Sequence, residues 1–240
     1  MTWFINWFNS PYYHILYKNR NVKEAELFIK NLVKYLKIDS EAKIIDIGCG
    51  KGRHSIFFNE LGFDVTGIDL SKENILSAKK REQENLKFYI HDMREIFKKN
   101  KFNICVNLFT SFGYFNSTIE HQKSIHAMTE TLKHDGILII DFLNATKIKD
   151  NMISEEKKNI DNIIFKIRRN IIGNRIEKSI QIIDEQTVLN FKESVEALTL
   201  KDFLFFFKNE NLEIIDIFGS YQLEQFNEID SERLIIIARK

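Results

Sequence analysis

Three glycines and two aspartates stand where apolar runs of this chain end, and their spacing suits the holding of a nucleotide-like ligand. Ile44 to Ser55 reads IIDIGCGKGRHS. A short apolar run passes directly into Gly48, Gly50 and Gly52. Glycines there let the backbone turn sharply and approach a ligand. The helix that follows would offer its unpaired N–H groups. The dinucleotide fingerprint is G-x-G-x-x-G. Here the third glycine falls one place early and Arg53 occupies the dinucleotide position. Alone, such a turn is as much a structural corner as a binding site. Asp69 ends the next apolar run. It could accept both hydroxyls of a ribose or cap the next helix. Asp92 follows a third run in HDMRE. It could accept from an adenine amino group with Met93 on the ring, or solvate a loop. Together they put Gly, Asp and Asp at the C-terminal edge of one sheet, where ligands of open α/β sheets bind.

The elements that must carry these residues follow from periodicity. Residues 22 to 37 place Ala25, Phe28, Ile29, Leu32, Val33 and Leu36 at helical spacing, which predicts an amphipathic helix. Strands are predicted at Lys43–Ile47, Phe63–Asp69, Leu86–His91, Phe102–Leu108 and Gly136–Leu143, with helices over 53–61, 71–81 and 118–132. Ser71 suits the N-cap of the second of these helices. Strands alternating with helices imply a parallel sheet covered on both faces. After residue 150 the pattern changes. Ile163–Ile172, Gly173-Asn174 and Arg175–Asp184 read as a hairpin, with Thr187–Ala197 as a third strand. A helix over Leu200–Lys208 and strands at Leu212–Phe218 and Leu234–Ala238 end the chain.

Bulk properties bound the function. The chain has 240 residues, which suggests one domain. Its formal net charge of +1 gives no global field for a polyanion, which counts against a nucleic-acid substrate. The two cysteines make no disulfide framework and suit a reducing, cytoplasmic setting. No run approaches the roughly 18 apolar residues of a membrane span. The opening MTWFINWFNS does not read as a signal peptide. No metal-ligand set stands out among the six histidines; His121 and His126 are expected on a solvated helix face.

With these motifs in view, residues 40 to 145 resemble the class I S-adenosylmethionine-dependent methyltransferases of the small-molecule type. The resemblance rests on IIDIGCGKGRHS, on VTGIDLS around Asp69, and on HDMRE and NLFTSFGYF. It implies a Rossmann-like α/β fold: a seven-stranded, mostly parallel sheet in the order 3-2-1-4-5-7-6, its last strand reversed, helices on both faces, and here an antiparallel β insertion. S-adenosyl-L-methionine has no pyrophosphate, which agrees with the tighter glycine turn. S-adenosyl-L-homocysteine would be the product. The implied cofactor residues are Asp46, Gly48, Cys49, Gly50, Arg53, Asp69, Leu70, Asp92, Met93 and Leu108. In related enzymes a tyrosine-bearing N-terminal helix closes over the cofactor, and Tyr12, Tyr13, Tyr17 and Arg20 fall where that lid would lie. Plain packing of that helix through Tyr and Leu is the alternative. The expected organisation is one methyltransferase domain: a helical lid over 1–40, a cofactor-binding core over 41–145, an insertion over 160–197, and a helix and strand pair over 198–240.

The acceptor side is read from the ends of the fourth and fifth strands. The segment after the fourth strand carries no proline, unlike enzymes that methylate nucleic-acid bases or glutamine. Its aromatic and hydroxyl groups suit a small organic acceptor. Phe112, Tyr114, Asp141 and Asn144 are the candidate pocket residues, although Phe112 could equally be core. Transfer from a sulfonium needs mainly alignment, with a base only if the acceptor must lose a proton. Asp141, Tyr114 and His54 are the candidates for that base. The insertion would sit beside the mouth as a lid or a dimer surface. Trp3, Phe4, Trp7 and Phe8 suit core or homodimer contacts. Methyl transfer to RNA or protein, or a different Rossmann-type nucleotide binder, are the rival readings.

Overall fold

The computed structural model describes residues 3–17 and 22–240, with side chains from residue 6 and residue 23 onward in those segments. Arg20 and the side chains of Trp3 and Phe4 lie outside the described residues. In chain order the elements are α1(Trp3–Phe8), α2(Pro11–Leu16), α3(Val22–Leu36), β1(Lys43–Ile47), α4(Arg53–Glu60), β2(Asp64–Asp69), α5(Lys72–Lys79), β3(Leu86–Ile90), β4(Phe102–Asn107), α6(Thr118–Thr131), β5(Leu132–Leu143), α7(Ala145–Asp150), β6(Glu155–Ile160), β7(Ile163–Ile172), β8(Arg175–Asp184), β9(Thr187–Glu196), α8(Leu200–Asn209), β10(Glu213–Phe218) and β11(Arg233–Arg239).

Seven strands form one sheet in the order β10-β11-β5-β4-β1-β2-β3. β1 to β5 pair in parallel, and β11 runs antiparallel to both β5 and β10. Counted within this sheet and read from β3, the order is 3-2-1-4-5-7-6, as the resemblance implies. The central strands β1, β4 and β11 are largely buried because both faces are covered, so period-two alternation sends neighbours to different cores. Ile44, Val65, Val106 and Ile139 meet Phe28, Leu32, Phe58 and Ile75 of α3, α4 and α5. Ile45, Cys105, Leu138 and Ile140 meet Ile125, Met128, Phe203 and Phe206 of α6 and α8. The cysteines are buried and unpaired.

The insertion is a separate antiparallel sheet, β6-β7-β8-β9. Its hairpin turns at Gly173-Asn174 as the sequence suggests. It begins earlier than expected, at Glu155. The extra strand, EEKKNI, is an edge strand, and its charge is what shields an exposed edge from pairing. One face of this sheet makes a third core with the N-terminal helices. Trp7 and Leu16 pack on Ile163, Phe165, Ile167, Ile180 and Ile182. Trp7 is fully buried and donates its indole N–H to Glu193 Oε1 at 2.6 Å. Tyr12 donates to Asp184 Oδ2 at 2.7 Å.

His121 corrects the sequence reading. It is fully buried, among the rings of Phe112, Phe115 and Phe206. Positions 121, 125 and 128 share one stripe of α6, and α8 closes over it. His126 is exposed and meets Glu210 at 2.9 Å. Among the described residues neither ring nitrogen of His121 has a hydrogen-bond partner of good geometry, and Glu196 Oε2 lies 3.4 Å from Nδ1.

Burial, then the nearby Arg175 charge, lowers the His121 pKa to about 4, from an ordinary value of 6.5. Between those values the unfolded chain binds the extra proton, so this histidine makes stability fall as pH drops from about 6.5 to about 4. His121→Phe should remove about 2 kcal/mol of the acid-induced loss, read by urea unfolding at pH 7 and pH 4.5. Trp7→Ala should speed amide exchange across β7 and β8 and leave β1, β4 and β5 unchanged. Equal acceleration of both sheets would show that the third core has no independence.

Candidate active site

The glycine turn is stitched to the end of β2. The N–H groups of Gly48 and Cys49 both donate to Ile68 O, at 2.8 and 3.0 Å. Gly48 has φ +74°, and a Cβ there would lie 2.8 Å from Ser111 Cβ, so the position needs glycine. Below the turn, Asp46 is buried and accepts from Ser55 Oγ at 2.6 Å. Burial pushes its pKa up to about 6, against the pull of the Ser55 bond.

Asp69 closes β2 and receives two backbone donors. Gly50 N–H reaches Oδ2 at 2.8 Å, and Ser71 N–H reaches Oδ1 at 2.7 Å. Burial raises its pKa, while those two bonds pull the other way. A carboxylate offers about four lone-pair directions, so each oxygen keeps one for another donor. A Cβ built on Gly50 would meet no heavy atom within 4 Å, so the turn faces open cavity there. Ser71 caps α5 by accepting from Asn74 N–H at 3.1 Å. Asp69 therefore ties the turn to its own strand end, and Ser71 does the capping.

One cavity of about 1260 Å³ gathers most of the expected residues. Gly48, Cys49, Gly50, Arg53, His54, Asp69, Leu70, Asp92, Met93, Leu108 and Tyr114 line it, together with Tyr13 and Tyr17 from the N-terminal segment. Asp92 sits at its wall with both oxygens bonded to Arg94 at 2.6–3.2 Å. Tyr17 donates to Glu193 Oε1 at 2.7 Å and also meets Lys178. The helical segment thus borders the cavity and packs on the insertion. The insertion adds Glu156, Lys158, Ile167, Arg169, Lys178 and Val195 to the wall.

Four expected site residues stand away from the cavity wall. Asp46 lies under the turn. Phe112 is fully buried against Phe203 at a ring distance of 5.6 Å, and is core. Asn144 caps α7 and donates to Glu228 O and Ser231 O, both at 2.8 Å. Asp141 is fully buried, and its oxygens accept from Phe109 N–H, Tyr221 O–H and Arg233 Nε at 2.8, 3.0 and 2.7 Å. Donors occupy both oxygens of this carboxylate, and it lies buried behind the cavity wall. Asp141 therefore does not face the cavity as an acceptor contact or base was expected to. Asp141 faces inward from within β5, whereas Phe112 and Asn144 lie beyond strand ends and are drawn inward by Phe203 and by the 228–231 loop.

His54 and Tyr114 remain at the wall. Burial, then the Arg53 charge, lowers the His54 pKa to about 3. Tyr114 O–H donates to Thr110 O. Sequence reasoning missed Arg233 and Tyr221, which also line the cavity. The only signal for Arg233 is a cation standing just before the apolar run of β11.

The family model for the methyltransferase domain matches residues 38–195, more than half of the chain. A glycine/sarcosine N-methyltransferase of Aphanothece halophytica is 32% identical over 136 residues, covering 55% of this chain and 50% of that protein. A dTDP-3-amino-3,4,6-trideoxy-alpha-D-glucopyranose N,N-dimethyltransferase of Streptomyces venezuelae is 28% identical over 100 residues, 42% of each chain. The chain spans about half the length of the curated relatives it matches. A crystal structure of an S-adenosylmethionine-dependent methyltransferase from Clostridium acetobutylicum superposes with a TM-score of 0.80 at 17% identity, covering 95% of both chains. At that identity the likeness concerns the fold. From the matched residues and the strand order together, the chain belongs to the methyltransferase-domain family, in its class I, S-adenosylmethionine-dependent form.

Proposed function

We propose that this chain methylates a small-molecule acceptor held between the glycine turn and the antiparallel insertion, with S-adenosylmethionine as the donor. The observation that carries the reading is the Asp69 carboxylate. It is held by two backbone N–H groups, keeps an unused lone pair on each oxygen, and borders the cavity beside the open face of Gly50. Vicinal ribose hydroxyls match that acceptor pair. Asp92 and Met93 suit the adenine edge and face. Arg53, Tyr13 and Tyr17 suit the amino-acid end, with Leu70, Leu108 and Cys49 as apolar walls. Arg20 belongs to the same proposed set from its place in the sequence. Asp46 serves this set indirectly, by holding Ser55 and the start of α4.

The donor brings a methyl already activated on a sulfonium sulfur, so the protein's task is alignment and exclusion of water. Of the two candidate bases at the wall, His54 is a weak one, since burial lowers its pKa to about 3, and the Tyr114 hydroxyl donates to Thr110 O. An acceptor that arrives with its own lone pair, such as a neutral amine, asks least of such a site. The Aphanothece and Streptomyces relatives are both named for N-methylation. Asp184 and Glu193 secure the N-terminal helices to the insertion, so both would close over an acceptor together.

Isothermal titration tests this reading. The wild-type chain should bind S-adenosylhomocysteine and give no heat with NAD. Asp69→Ala should weaken S-adenosylhomocysteine by roughly tenfold or more, since charge-assisted hydrogen bonds are lost. Tight NAD binding without S-adenosylhomocysteine binding would overturn the proposal.

A further inference from the structure

Where β4 leaves the sheet, two consecutive non-glycine residues take the left-handed backbone region. Phe109 has φ +61° and Thr110 has φ +59°. For a β-branched residue such as threonine this is a strained state, which persists only where the surroundings over-determine it. The restraint is visible. Asp141 Oδ2 accepts the Phe109 N–H at 2.8 Å, and the Asp141 backbone O accepts the Thr110 N–H at 3.0 Å. Arg233 donates from Nε to Asp141 Oδ1 at 2.7 Å and from Nη2 to Thr110 Oγ1 at 2.9 Å. Tyr221 O–H completes the shell of Asp141 at 3.0 Å.

The turn puts the Phe109 ring into the cavity wall. The Arg53 guanidinium carbon lies 4.5 Å from the ring centroid, and that of Arg233 lies 5.8 Å away. Tyr221 stacks on the ring at 6.1 Å and 22°, and His54 lies at 5.9 Å. Phe109, Arg53, His54, Tyr221 and Arg233 all line the cavity, whereas Asp141 is fully buried behind them.

We propose that Asp141 and Arg233 are positioning residues. They hold the strained Phe109–Thr110 turn and thereby set the Phe109–Arg53 wall that receives the amino-acid end of the donor. This rests on the methyltransferase reading for its ligand, while the strained turn itself does not. A buried ion pair that only stabilises the fold would look similar in a static structure. It differs in one respect: relief of the backbone strain would not substitute for it.

The test compares wild type, Asp141→Asn and Arg233→Lys, each variant alone and with Thr110→Gly. Glycine enters the left-handed region without a Cβ penalty. Asp141→Asn puts an amide N–H₂ against a shell of donors; Arg233→Lys keeps the charge and loses the two-point hold. Each single variant should weaken S-adenosylhomocysteine by roughly tenfold. Adding Thr110→Gly should restore affinity to within about threefold, while Tm stays lowered. In the ligand-free protein, amide exchange at 109 and 110 should accelerate in the single variants and slow again at 109 with the glycine. Single variants with wild-type affinity and exchange, or a loss that glycine does not restore, would overturn the proposal. If Asp141→Asn does not fold, the Arg233→Lys pair decides. If wild type binds no S-adenosylhomocysteine, the methyltransferase reading fails, and the ligand-free exchange still decides the role of the pair.

Discussion

The Asp69 carboxylate joins three pieces of backbone that the chain keeps apart: the glycine turn after β1, the end of β2, and the start of α5. Gly50 N–H and Ser71 N–H converge on it from the two sides. The arrangement requires β1 and β2 to be parallel neighbours, with Asp46 opposite Gly67 and Ile47 opposite Ile68. Gly67 in turn has to be glycine, because a Cβ there would lie 2.6 Å from the Phe88 ring and 2.9 Å from Cys49 Sγ. The packing of β3 beneath the turn and the chemistry above it therefore depend on one another. A substitution that moved Phe88 would move the loop that carries Gly50.

The rest of the molecule encloses that edge. The seven-stranded sheet supplies strand ends, and its two flanking cores fix them. The N-terminal helices and the antiparallel insertion share a third core, built around Trp7, Phe165 and Ile182. The cavity lies where these units face one another, with Tyr13 and Tyr17 from one and Arg169 and Lys178 from the other on its wall. Arg169 and Lys178 sit directly opposite each other on β7 and β8, a like-charge pairing that disfavours the sheet. Glu156 at 2.6 Å from Arg169 and Glu193 at 3.4 Å from Lys178 offset it. Glu193 also holds Trp7 and Tyr17, so one carboxylate serves both the insertion and the helices docked on it.

Much of this was legible from residue patterns. Apolar runs placed the strands of the main sheet to within a few residues, and Gly173-Asn174 placed the hairpin. The edge that gathers the candidate cofactor residues was legible because three successive strand ends carry Gly, Asp and Asp together, although each alone could be a corner, a helix cap or a loop residue. Three features escaped for physical reasons. β6 is an edge strand whose charges hide its β character. His121 is polar in type yet lies on the buried stripe with Ile125 and Met128. Asp141 stands near the end of β5, and Asn144 and Phe112 follow strand ends, as pocket residues do, but the inward or outward turn of each depends on partners distant in sequence. Arg233 is 92 positions from Asp141, and no local pattern links them.

Every role assigned at the cavity depends on where the donor lies. A crystal structure of the chain with S-adenosylhomocysteine measures this directly. The ribose hydroxyls are expected on the two oxygens of Asp69, the adenine between Leu70 and Met93, and the amino-acid end beside Arg53 and the glycine turn. A ligand bound elsewhere, or lying in the cavity with its ribose away from Asp69, would contradict those roles.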